Sequence, residues 1–103
     1  FGAADKFKSA INRIDRAPRV LVLRLRHVPA IDATALRALE DVIARSGRSG
    51  TRVVFSGLQP APLATLRRAG IAAAVGEDNV TGDIDAALAR ARELLAADGN
   101  EAL

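Results

Sequence analysis

The chain has 103 residues, half of them hydrophobic, with 15 Lys and Arg against 12 Asp and Glu for a net charge of +3; that is the size of one domain, able to bury about two thirds of its unfolded surface. It carries no cysteine and a single histidine, which excludes a disulfide framework, a thiolate nucleophile, a cysteine-ligated zinc and a histidine-rich metal site. Its arginines are interleaved with acidic residues, and it has three Phe and no Tyr or Trp, so neither the basic block nor the stacking platform of a nucleic-acid binder is present.

No metal, cofactor or nucleic-acid partner is therefore expected. The longest apolar run, Val20 to Leu23, is far short of the roughly 20 residues of a membrane span, and no basic-then-apolar signal opens the chain. A cytoplasmic location is expected.

Residues 5–16, DKFKSAINRIDR, place Phe7, Ile11 and Ile14 on one helical face with Asp5 as a cap, and Pro18 ends the pattern. RVLVLRL at 19–25, held between Pro18 and Pro29, is the continuous apolar run of a strand covered on both faces. Asp32 then offers its carboxylate to the free N–H groups of a helix start. Leu36, Leu39 and Ile43 mark the inner face through to Arg45, and Gly47 supplies a stop. TRVVFSG at 51–57 predicts a second covered strand.

Pro60 and Pro62 suit a first helical turn, Leu63 and Leu66 point inward, and Gly70 closes that helix. The polar stretch VGEDNVTGD at 75–83 leaves room for a short edge strand at Asn79–Thr81. Asp83 caps a long last helix whose inner face carries Ile84, Ala87, Leu88, Ala91 and Leu95, with Arg90, Arg92 and Glu93 mainly outside. This order predicts an α/β domain with helices packed on a small sheet. Two strong strands and one weak one make a thin sheet, and FGAADKF at 1–7 reads as the exit from a strand into a helix. The expectation is one domain over 1–103 whose N-terminal strand has been cut off or lies on another polypeptide. No internal repeat, low-complexity tract or linker interrupts it.

Four phrases occur in order over nearly the whole chain: FGAADKF at 1–7, IDATALRALE at 31–40, SGLQPAPLATLRRAG at 56–70 and GEDNVTGDIDAALARARELL at 76–95. Together they resemble the STAS domain, found at the C-terminus of bacterial SulP-type sulfate and anion transporters and shared with anti-sigma-factor antagonists. The resemblance implies a STAS-like fold, a small mixed sheet with packed helices and a strand ahead of Phe1. It also implies a non-catalytic regulatory and interaction domain on the cytoplasmic side of the membrane. Its partners would be the membrane domain of the parent transporter, other cytoplasmic proteins and a second copy of the chain. The alternative is a free-standing anti-sigma-factor antagonist working as a Ser/Thr phosphorylation switch; a nucleotide-binding module is a third, weaker one.

In the antagonists an Asp-Ser-Ser-Gly type loop carries the phosphoacceptor. The matching residues are Asp32, Ala33, Thr34 and Ala35, so the resemblance puts Thr34 at that position while Ala33 and Ala35 depart from the pattern. A phosphate of about −1.5 to −2 charge at a helix N-terminus meets unpaired N–H groups and the positive end of the helix dipole. Thr34 thus reads as a simple first-turn residue, as part of a docking surface with Asp32, Ala33 and Arg37, or as a switch. Helical spacing turns Ala33, Thr34 and Arg37 toward solvent.

Ser56, Gly57 and Gln59 follow a strand and precede a helix, the place where open α/β sheets bind ligands, and Arg24, Arg67 or Arg68 are candidate phosphate contacts. GRSG at 47–50 lacks the Gly-Lys-Ser/Thr ending of a phosphate loop and reads as a turn. His27 has no legible Ser or Cys partner and reads as a loop residue hydrogen-bonded to backbone. Asp83 and Asp85 read as cap and dipole residues, with no further oxygen ligands to make a metal site.

Overall fold

Three strands run in the same direction in the computed structural model, which describes residues 17–101, with side chains described as far as Ala97. They are β1 (Val20–Arg24), β2 (Arg52–Ser56) and β3 (Val80–Thr81), in the order β1-β2-β3, with both pairs parallel. Parallel neighbours require crossover connections. Helix α1 (Ala33–Ser49) makes the first; helices α2 (Pro60–Arg68) and α3 (Ile71–Val75) with a 3₁₀ turn at Glu77–Asn79 make the second, and α4 (Ile84–Glu101) follows β3. The α/β class and element order agree with the sequence reading. The helix expected over 5–16 and any strand before Phe1 lie outside the described residues.

Strand alternation divides the core in two. On one face Val53 and Phe55 of β2 join Leu25, Leu39, Leu66 and Ile71, with α1, α2 and α3 covering them. On the other, Val54 meets Ala87 and Leu94 of α4, flanked by Val20, Val22 and Ile84. Helix α4 lies across both β1 and β2 on that side, and the Arg19 guanidinium donates to the Leu95 carbonyl at 2.9 Å.

Four local expectations need correction. Helix α1 does not stop at Gly47 but runs to Ser49, and GRSG is its last turn rather than a separate connection. The terminating residue is Gly50, whose φ of +75° is the left-handed conformation that lets its N–H reach the Ser46 carbonyl. Glycine in sequence marks where such a turn is allowed, whereas buried Ser46 and Val42 keep the helix on the core for another turn. The buried stripe of α1 is accordingly Ala35, Ala38, Leu39, Val42 and Ser46, with Leu36 and Ile43 on its margins.

On α4 the inward residue is Leu94, with Leu95 half-buried, and Leu88 is 40% exposed. Ile84, Ala87, Ala91 and Leu94 form one straight stripe, and Leu88 falls beside it. Arg90 is held partly inward: its Nε donates to Asn79 Oδ1 at 2.7 Å and its Nη1 to Glu93 at 2.9 Å. Finally, IAAAV at 71–75 forms a helix of its own that periodicity over five residues is too short to announce.

Candidate functional site

Two helix starts carry the candidate residues. At the first, Asp32 adopts an extended conformation and its Oδ1 accepts from the Ala35 N–H at 2.8 Å, an ordinary side-chain cap. Ala33, Thr34 and Arg37 are exposed and together line a shallow surface depression of about 170 Å³. Ala35 is buried beneath them. The first turn of α1 contains no acidic side chain, so beyond the Asp32 cap its positive end faces solvent.

The second lies at the carboxyl end of the sheet. Because Val20, Val22 and Val54 face α4, alternation sends Arg24 and Ser56 to the same side. Arg24, Ser56 and Thr81 stand in register across the three strands. A cleft of about 340 Å³ opens above them, lined by Arg24, Arg26, Ser56, Gly57, Gly82, Asp83 and Ile84. Thr81 Oγ1 is engaged with the Phe55 carbonyl at 2.7 Å. Asp83 Oδ1 accepts from the Ala86 N–H at 2.7 Å, capping α4.

The walls of this cleft are tied together by backbone. Leu25 N–H donates to the Ser56 carbonyl at 2.9 Å and Gly57 N–H to the Thr81 carbonyl at 3.0 Å. Gly57 has φ +74°, and a Cβ there would sit 3.0 Å from Arg26 Cβ, so a larger residue would force the two loops apart. Gln59 Nε2 donates to the Arg26 carbonyl at 2.8 Å. Gln59 is therefore a brace for the Arg26 loop and does not line the cleft.

The sequence-predicted residues thus separate into two groups. Asp32, Ala33, Thr34 and Arg37 come together on one surface; Ser56, Gly57 and Arg24 come together on another. Arg67 stands apart from both, paired with Glu77 at 3.2 Å. His27 is exposed and makes no backbone hydrogen bond among the described residues; its loop is held by Val28 N–H to Leu25 O at 3.1 Å and by Gln59. Arg26 and Gly82 were not singled out from the sequence. A signal for them existed, since parallel strands deliver all their exit loops to one end of a sheet. No group of three or more His, Asp or Glu suited to a metal, and no helix long and apolar enough to cross a membrane, occurs among the described residues.

Comparison with known proteins places this geometry. The STAS domain family matches residues 1–90. No curated protein matches the chain. Among solved structures, a sulfate transporter family protein from Wolinella succinogenes is 38% identical, with TM-score 0.84 over 93% of this chain and 79% of that one. The SulP transporter STAS domain from Vibrio cholerae is 35% identical, with TM-score 0.78 over 92% of this chain and 74% of that one. Likeness in sequence, in order of elements and in three-dimensional shape agrees throughout, and the chain belongs to the STAS domain family.

Proposed function

We propose that this chain is the regulatory, protein-docking domain of a SulP-family sulfate or inorganic-anion transporter, non-catalytic and held on the cytoplasmic side of the membrane. The observation that carries the reading is the similarity to two transporter-family domains over more than nine tenths of the chain. The domain acts through surfaces, and the start of α1 is the surface it offers: Ala33, Thr34 and Arg37 are exposed on a capped helix. The membrane domain of the parent transporter is the first partner. Among the described residues β1 is paired on one edge only, which favours a further chain segment or a second copy along the other.

The coding sequence upstream of Phe1 gives the first test: membrane-spanning segments are expected there, and a frame without them overturns the reading. In the parent protein, Thr34→Cys introduces the only cysteine of a domain that has none, and it should cross-link to a cytoplasmic loop of the membrane domain. A second reading, a phosphorylation switch at Thr34, draws on its exposure in the first turn of α1. Incubation with a cognate serine kinase followed by mass spectrometry separates the two, since modification of Thr34 with kinase capture supports the switch.

A further inference from the structure

The cleft at the carboxyl end of the sheet has a composition that packing alone does not ask for. On the α4 face of β1 and β2 the core positions are valines, Val20, Val22 and Val54, with the exposed Arg52 at the opposite end of the row. In the last row the pattern changes to Arg24, Ser56 and Thr81, in register on adjacent strands. Thr81 spends its hydroxyl on backbone. Ser56 is 3% exposed and its hydroxyl has no hydrogen-bond partner among the described residues, although it lines the cleft. A hydroxyl that opens onto a cavity and makes no hydrogen bond among the described residues is a donor available to a ligand.

Charge points the same way. Arg24 and Arg26 line the cleft, and neither has a carboxylate partner among the described residues, in contrast to Arg67 and Arg90, which pair with Glu77 and Glu93. The one acid at the rim, Asp83, is turned to the Ala86 N–H of its own helix. The first-turn N–H groups of Ile84 and Asp85 have no acceptor within α4, so they add a positive dipole end to two cations that have no carboxylate partner among the described residues. The described lining residues include no aromatic ring, and the one described phenylalanine, Phe55, is fully buried, so no described side chain of the cleft offers a purine an aromatic face.

We propose that this cleft is a binding site for a small tetrahedral oxyanion, inorganic sulfate or phosphate. Arg24 and Arg26 supply charge-assisted hydrogen bonds, Ser56 supplies a neutral donor from the floor, and Gly57 and Gly82 keep the walls free of side chains. The Gln59 and Gly57 hydrogen bonds hold the Arg26 loop in place before the anion arrives. Binding at this site does not depend on the regulatory reading above and stands or falls separately from it.

The experiment is a titration of the isotope-labelled chain with sodium sulfate and with sodium phosphate, at ionic strength held constant by sodium chloride, followed by amide chemical shifts. Saturable shifts are expected at Gly57, Gly82 and Ile84. Arg24→Gln with Arg26→Gln should weaken the affinity at least tenfold and Ser56→Ala by less, while Arg67→Gln, which removes the same charge elsewhere, should leave it unchanged. Shifts that grow linearly, or that chloride reproduces, overturn the site, as does an equal loss in Arg67→Gln. GTP and ATP form the third arm: saturable binding of a nucleotide at these amides without binding of either inorganic anion shows that a larger phosphate ligand is required and overturns the proposal as stated. The wild-type titration decides the matter even if a variant fails to fold.

Discussion

The two faces of the sheet solve the problem of burial differently. Under α1, α2 and α3 the side chains are large: Phe55, Leu25, Leu39 and Leu66 are among the largest fully buried groups. Under α4 the helix contributes two alanines, Ala87 and Ala91, between Ile84 and Leu94, and the strands contribute valines. Small residues let a helix backbone approach closely, so this face gains contact through proximity rather than side-chain volume. The thick face should therefore be sensitive to lost volume and the thin face to added volume. The thin face is also the one that ends in the polar row Arg24, Ser56 and Thr81, beside the start of α4.

The comparison can be broken most directly at Phe55, which is fully buried. Phe55→Ala should destabilise the domain by about 3–5 kcal/mol through transfer and cavity terms, read by chemical denaturation; a loss below that of an ordinary surface change would mean that the thick face is not the main core. Next in size is Ala87→Leu on the thin face. Overpacking there should cost about 1–3 kcal/mol, measured in the same way, and a neutral result would show that α4 has room to move off the sheet.

The helix starts sharpen the contrast further. Asp32→Ala removes the acceptor of the Ala35 N–H and should cost about 1 kcal/mol. Thr34→Asp should leave stability within about 0.5 kcal/mol, because the residue is exposed and the added charge suits a helix N-terminus. It should nevertheless reduce docking of the α1 surface on its partner, read in a binding assay with the membrane domain. If Thr34→Asp unfolds the chain while Asp32→Ala does nothing, the start of α1 is not a free surface.

What the sequence settled by itself follows from local chemistry. Proline, aspartate and continuous β-branched runs define where a strand ends or a helix begins within a few residues, because they act through their own backbone and nearest N–H groups. So β1, β2, the Asp32 and Asp83 caps and the exposure of Thr34 were legible, and the order of elements with four matching phrases carried the family. What only the tertiary structure decided involves groups distant in sequence. Gly50 rather than Gly47 ends α1 because buried Val42 and Ser46 hold the last turns to the core, and Leu94 rather than Leu95 turns inward because the sheet fixes the rotation of α4. Gln59 became a brace, and Arg24, Arg26, Ser56 and Gly82 became neighbours, only when three parallel strands brought their exits to one end. Sequence spacing cannot supply that proximity, since register between strands is set by packing across the whole sheet.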